Sequence, residues 1–318
     1  MRTTEQFEGE AGVRLDRFLA DHLPRLSRSH LQRLIEDEDV QVGGRLRKSS
    51  YGLKGGEVVT VVLPEDTPRL AISSEAISIL YEDEDVLVVD KPAGLVTHPN
   101  DFNASKSVIQ SLLNGRASLG DAIYDPNNET SWLRPGVVHR LDKDTSGVLV
   151  IAKNQVALRD LAEQFRNHTV EKEYVALLAG KIPDQITVDQ PIRRKPGKRN
   201  MMGISLDLEE GRAARSAFSC LRGYTMPEGT ISYVSCRLET GRTHQIRVHA
   251  KYLGAPVLGD TRYANVPATK LAKRLHTTRQ MLHAHSLSFH HPTDKRPMCF
   301  KAPLHADMQR IVDTLEDL

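Results

Sequence analysis

The chain has 318 residues, 39% of them hydrophobic and 26% charged, and a formal net charge of +2. That length allows two domains, and these proportions predict a globular protein rather than a disordered or fibrous one. No apolar run approaches the roughly eighteen residues of a membrane span. The polar, acidic residues 1–10 do not read as a secretion signal. The scattered Cys220, Cys236 and Cys299 suit neither a disulfide framework nor a zinc site. A cytoplasmic location with no membrane partner is therefore expected. The small net charge does not announce a nucleic-acid binder, but its distribution permits a basic face. Acids cluster at 36–39 and 82–85, and bases at 193–199 and 262–279.

In chain order, Leu15, Phe18, Leu19 and Leu23 recur at helical spacing, and Pro24 stops that helix. Arg14 and Arg17 lie off the apolar stripe. A second helix follows, with Ser27 or Ser29 as its N-cap and Leu31, Leu34 and Ile35 as its buried face. Val40 and Val42, a Gly43-Gly44 turn and the run Val58–Leu63 read as short strands. Gly12-Val13-Arg14-Leu15-Asp16 and Ser27-Arg28-Ser29 resemble the small alpha-L RNA-binding domain of ribosomal protein S4 type. That resemblance implies an RNA-binding domain over residues 12–66, although the acids Glu36, Asp37, Glu38 and Asp39 would repel phosphate.

Residues 64–74 read as a linker, after which a second domain is expected over 75–318. Residues 86–89 form a continuous apolar run, a buried strand that ends at Asp90-Lys91-Pro92. Lys91 and His98 are placed either to reach phosphate or to pair with local acids. Residues 115–132 lack periodicity and read as a surface loop. The polar turn Asp142-Lys143-Asp144-Thr145-Ser146-Gly147 lies between Val137-Val138 and the apolar run 148–152. A turn held by core strands is a place to fix a reactive carboxylate, here Asp142 or Asp144. Asn154 caps a helix that buries Leu158, Leu161, Ala162 and Phe165. Residues 172–179 alternate as a strand, with Lys172, Tyr174 and Ala176 on one face and Val175 and Leu177 on the other.

The basic block Arg193-Arg194-Lys195-Pro196-Gly197-Lys198-Arg199 reads as a mobile loop suited to phosphate contact. Residues 232–238 are strand-like and break at Gly241-Arg242. His244 and His249 have the wrong spacing for one helix or strand face, so no metal site is expected. Residues 262–279 form a basic insertion with helical character. Two closing strands, 283–292 and 298–302, and an amphipathic helix around 308–315 complete the chain.

Four motifs stand in order along this second region. They are Asp90-Lys91-Pro92-Ala93-Gly94-Leu95, then His139-Arg140-Leu141-Asp142-Lys143-Asp144-Thr145-Ser146-Gly147, then Lys172-Glu173-Tyr174, and last Leu238-Glu239-Thr240-Gly241-Arg242-Thr243-His244-Gln245-Ile246-Arg247-Val248-His249. Together they resemble the pseudouridine synthases that modify large-subunit ribosomal RNA, and Val96-Thr97-His98-Pro99 is most similar to the D type. The C type, with other targets in the same RNA, stays open. The resemblance implies an α+β fold with a mixed, mostly antiparallel central sheet and flanking helices. It also implies the site residues: Asp142 as the catalytic carboxylate, Arg247 as its cationic partner and Tyr174 as the platform for the base. Arg140 would fill the gap left by a flipped nucleotide, and His139, Arg242, Gln245 and Lys91 would complete substrate binding.

That reaction breaks the ribose–N1 bond, turns the base and bonds C5 to the same carbon. It uses no redox step and no external group, so no cofactor is expected. Asp142 could add to the electron-poor anomeric carbon or remove a neighbouring ribose proton. The expected partner is structured RNA, most of all large-subunit ribosomal RNA or a precursor of that subunit, met by a monomer. Two other readings use the same residues: an RNA-binding assembly factor without chemistry, and a hydrolase that releases uracil.

Overall fold

The computed structural model describes residues 3–23, 28–63, 73, 75–99, 106–113, 134–197, 201–205 and 210–318. The expected linker at 64–72, the loop at 115–132, Pro24, Ser27 and Lys198-Arg199 lie outside them. The described chain falls into two units: residues up to 63, together with 99 and 134–135, form the first, and residues 73–98, 106–113 and those from 136 onward form the second.

In the first unit the helical apolar stripe works as its spacing predicts. Leu15, Phe18 and Leu19 of α1 (Leu15–His22) are buried, with Leu23 just beyond it. They pack with Leu31 and Leu34 of α2 (Arg28–Glu36). Ser29 lies inside α2 and so is not its N-cap. Beneath the helices is a sheet ordered β1-β4-β2-β3, from β1 (Thr3–Glu8), β2 (Val40–Val42), β3 (Arg45–Leu46) and β4 (Val58–Leu63). Strand β1 pairs antiparallel with β4 from Thr3–Leu63 to Glu8–Val58, so the sheet starts ahead of the expected boundary at residue 12. As an edge strand, β1 contributes only Phe7 to the core, and polar residues hide its periodicity.

The second unit is built on one sheet, ordered β5-β6-β7-β14-β8-β13-β12-β9, with β15 paired to β14. Its strands are β5 (Ser78–Glu82), β6 (Val86–Lys91), β7 (Ser146–Ala152), β8 (Glu171–Ala179), β9 (Gln185–Asp189), β12 (Arg215–Met226), β13 (Gly229–Leu238), β14 (Leu282–His290) and β15 (Pro297–Lys301). Pairing is antiparallel except between β7 and β14, so the sheet is mixed and mostly antiparallel. Strands β6 and β7 are buried almost throughout, which explains their unbroken apolar runs. Helix α3 (Val108–Leu113) follows the β6 end, and α4 (Gln155–Arg166) is capped by Asn154, whose side chain accepts from the Ala157 N–H.

The period-2 alternation of β8 divides the core. Val175, Leu177 and Ala179 pack with residues of α6 (Val266–Arg274) and α7 (Ala306–Glu316). Ala176 and Leu178 pack with Ile246 and Ala250 of α5 (Gln245–Tyr252). The basic block is not loop throughout: Arg193 and Arg194 lie on β10 (Ile192–Arg194), which pairs antiparallel with β11 (Met202–Ile204).

Candidate active site

Asp142 lies in a tight turn closed by the Thr145 N–H, which donates to the Asp142 carbonyl at 3.1 Å. Every carbonyl from Leu141 to Thr145 is held. The Thr97 hydroxyl donates to the Leu141 carbonyl and accepts from the Leu141 N–H, both at 3.1 Å. The fully buried Lys91 ammonium donates to the carbonyls of Lys143 at 3.0 Å and Thr145 at 2.9 Å, and to that of Pro92 at 2.8 Å. Arg279 donates to the Asp144 carbonyl, while its other nitrogens bind Asp307 at 2.6 and 2.9 Å. Gln280 donates to the Thr145 hydroxyl. Two buried cations and two buried polar side chains thus hold the loop, leaving the Asp142 side chain half-buried at its surface.

The turn leads into Gly147, whose backbone at φ 115° lies in a region open to glycine. A Cβ there would lie 2.2 Å from the Ala284 carbonyl oxygen. Glycine therefore lets β7 run beside β14 where His283 and Ala284 pair with Ser146 and Gly147.

Across the cavity, α5 presents Arg247. Its Nη1 donates to Asp142 Oδ2 at 2.9 Å. Nε and Nη2 donate to the two oxygens of the buried Asp260 at 2.7 and 3.0 Å. Burial opposes the Arg247 charge, but Asp260 and Asp142 outweigh it and raise the pKa, so the guanidinium stays charged. It also lies over the Tyr263 ring, 5.1 Å from the centroid. Tyr174, at the cavity wall, has its pKa raised by burial and by the charge of Asp142, which keeps the phenol neutral.

The cavity holds about 240 Å³ and is lined by Arg140, Asp142, Tyr174, Arg242, His244 and Arg247, with apolar wall from Leu141, Leu238, Ile246 and Leu282. One carboxylate among three guanidiniums, beside an aromatic ring, suits a single nucleotide with its phosphates better than an apolar ligand. Arg140 is exposed and makes no side-chain hydrogen bond to a described residue. Arg242 donates through Nε to the Ala213 carbonyl at 2.9 Å. Among the described residues no group of three or more His, Cys, Asp or Glu could hold a metal ion.

Three expected substrate contacts have other tasks. Lys91 is sealed beneath the turn, where burial pushes its pKa down to about 7 against the pull of Asp144 and Asp142. His139 turns away from the cavity. Its Nε2 accepts from the Val150 N–H at 3.0 Å and its ring stacks on Phe165, while burial and the Lys172 charge push its pKa down to about 3. Gln245 is buried and its amide is fully engaged. Its oxygen accepts from the Thr240 hydroxyl and the Arg242 N–H, and its nitrogen donates to the Arg215 carbonyl and the Ser216 hydroxyl. These residues are struts of the site, because the Lys91 ammonium, the Gln245 amide and His139 Nε2 are taken by backbone or neighbouring side chains.

Asp260, Tyr263 and His244 were not foreseen as site residues. Asp260 and Tyr263 follow a glycine-rich turn with no pattern to mark them. His249, the other half of the discounted pair, points elsewhere, to the Ser216 hydroxyl and the Gln190 carbonyl.

Residues 85–252 match the family model of the RNA pseudouridylate synthases, and residues 13–59 match that of the S4 domain. The chain belongs to the RNA pseudouridine synthases. It is 38% identical over 310 residues to an uncharacterized RNA pseudouridine synthase, YlyB, of Bacillus subtilis (strain 168), covering 97% of this chain and 96% of that protein. It is 37% identical over 313 residues to the ribosomal large subunit pseudouridine synthase D of Nitrosomonas europaea, covering 97% of this chain and 86% of that one. Among solved structures, human RNA pseudouridylate synthase domain containing 1 superposes with a TM-score of 0.55 at 27% identity, covering 77% of this chain and 97% of the human one. This RNA pseudouridine synthase is an isomerase, with an N-terminal S4 domain ahead of the pseudouridine synthase fold. None of its described helices is long and apolar enough to cross a membrane.

Proposed function

We propose that this pseudouridine synthase isomerises specific uridines of large-subunit ribosomal RNA, with Asp142 as the reacting carboxylate. The observation that carries the reading is the 2.9 Å bond from Arg247 to Asp142 at the wall of a cation-lined cavity beside Tyr174. A carboxylate that acts on the ribose must stay ionised while shielded from water, and a fixed, permanently charged guanidinium favours that state. Arg247 occupies Oδ2, which leaves Oδ1 to meet the sugar, either by adding to the anomeric carbon or by taking a neighbouring proton.

The target base has to leave its stack to reach Asp142. Tyr174 is the stacking platform, Arg140 fills the vacated space and Arg242 contacts phosphate. Residues 12–66 act as the RNA-binding domain and 75–318 as the catalytic domain. The large-subunit target rests on relatives that carry the name ribosomal large subunit pseudouridine synthase D at 37 and 38% identity. The working location is the cytoplasm, and the working form a monomer that meets ribosomal RNA or a precursor of the large subunit.

The test is tritium release from large-subunit RNA labelled at uridine C5, followed by mapping of carbodiimide adducts as reverse-transcription stops. Wild type should release tritium and Asp142→Asn should not, while both bind the RNA. Turnover by Asp142→Asn would remove the carboxylate from the mechanism, and free uracil among the products would make the protein a hydrolase.

A further inference from the structure

His244 lies at a junction that the chemistry proposed for Asp142 does not use. It is the residue before α5, and its backbone is left-handed, with φ 58° and ψ 23°. For a residue other than glycine that conformation is strained, and such outliers persist where the surroundings hold them. Here they do. The imidazole lines the cavity, Nδ1 is 2.8 Å from the Tyr263 hydroxyl, and Nε2 faces Asp142 Oδ1 at 3.9 Å.

The tautomer follows from the neighbours. The Tyr263 oxygen already accepts from the Met202 N–H at 3.0 Å, and Tyr263 is buried, so its own proton goes to His244 Nδ1. The ring proton then sits on Nε2, directed toward Asp142, an arrangement its carboxylate also favours over a lone pair. Burial lowers the His244 pKa, against the pull of Asp142 and with the push of Arg247 and Arg262, so the ring is neutral near pH 7. At 3.9 Å Nε2 is too far from Oδ1 for a hydrogen bond, so the N–H is unspent and opens on the place a nucleoside must occupy to meet Oδ1.

We propose that His244 is a catalytic residue of this enzyme, a hydrogen-bond donor whose Nε2–H binds an oxygen of the uracil as the glycosidic bond breaks. The proposal rests on the reading that Asp142 acts on uridine. When the C1′–N1 bond breaks its electron pair goes to the base and spreads over N1, O2 and O4. A donor fixed in advance stabilises that charge without reorganising, and no proton changes hands. The same N–H can hold the base while it turns, and Tyr263 keeps it pointing into the cavity.

The experiment compares kcat and KM for tritium release by the full-length enzyme and its His244→Ala, His244→Gln, His244→Asn and Tyr263→Phe variants, with folding followed by thermal melting. Removing one such donor costs about 100-fold in kcat. His244→Ala is expected to show that loss with KM within threefold of wild type. Glutamine, which can place a donor near the position of Nε2, should recover most of it. Asparagine tolerates left-handed backbone but is too short, and should behave like alanine. Tyr263→Phe, which frees the tautomer, should fall between. A His244→Ala enzyme within threefold of wild type in kcat, a loss confined to KM, or an asparagine variant as active as wild type would each overturn the proposal while Asp142 chemistry stands. A wild type that releases no tritium from any RNA overturns the functional reading, and this inference with it.

Discussion

Asp260 takes two of the three nitrogens of Arg247, with Nε 2.7 Å from Oδ2 and Nη2 3.0 Å from Oδ1, and so turns Nη1 toward Asp142. The pair is buried, and its fork geometry fixes the direction of the third bond as well as the charge. Asp260→Asn keeps the shape but sets an N–H₂ against a guanidinium N–H. It is expected to lower kcat about 10- to 100-fold and to lower the melting temperature, because the buried guanidinium loses its counter-charge. Wild-type kcat in this variant would mean that Asp142 does not depend on the direction of Arg247.

Lys91 and Arg140 separate support from contact. Lys91→Met takes the ammonium from three backbone carbonyls, of which that of Lys143 keeps the Gly94 N–H, so the protein should lose about 3 kcal/mol of stability in urea titration. Arg140→Ala, at an exposed position, should change stability by no more than about 0.5 kcal/mol yet lower turnover. A stable Lys91→Met enzyme with weakened RNA binding would return Lys91 to the substrate.

Gly147→Ala should cost at least about 3 kcal/mol, since it adds both unfavourable backbone and a Cβ 2.2 Å from the Ala284 oxygen. The loss is read from melting of the purified variant. Unchanged stability would mean that β7 and β14 separate there at little cost.

Stability should fall as the solution is acidified from about pH 6.5 toward 4. Burial pushes the His139 pKa down to about 3 and that of His283 down to about 4. Folded, both histidines bind fewer protons than the unfolded chain in that window. The unfolded state is therefore favoured progressively as pH falls, and the full contribution is present only above about 6.5. A few kcal/mol should be lost in total. Urea midpoints at pH 7 and pH 4.5 check this, and His139→Gln, which removes one of the two titrations, should flatten the slope. A slope unchanged by that substitution would place the acid sensitivity elsewhere.

The elements that local pattern could reveal are those whose burial is local. Strands β6 and β7 read directly from their apolar runs, α4 from Asn154 and its inward stripe, and α7 from Met308, Ile311, Val312 and Leu315. Strand β1 was hidden because an edge strand needs few apolar side chains. The long strand β12 was hidden because a register shift between Cys220 and Arg222 breaks its alternation.

Motif order and hydrophobic period are properties of neighbours in the chain, so the pair of domains, the family and a short set of candidate residues around Asp142 could be read from them. Which of those candidates face the cavity depended on contacts between distant residues. Lys91 is a strut because carbonyls 52 and 54 residues away converge on its ammonium. His244 gains its tautomer from a tyrosine 19 residues on. Arg247 reaches Asp142 across 105 residues of chain with Asp260 behind it. A polar side chain's role is set by the partners left to it once the backbone is folded, and those partners come from elements that no local pattern joins.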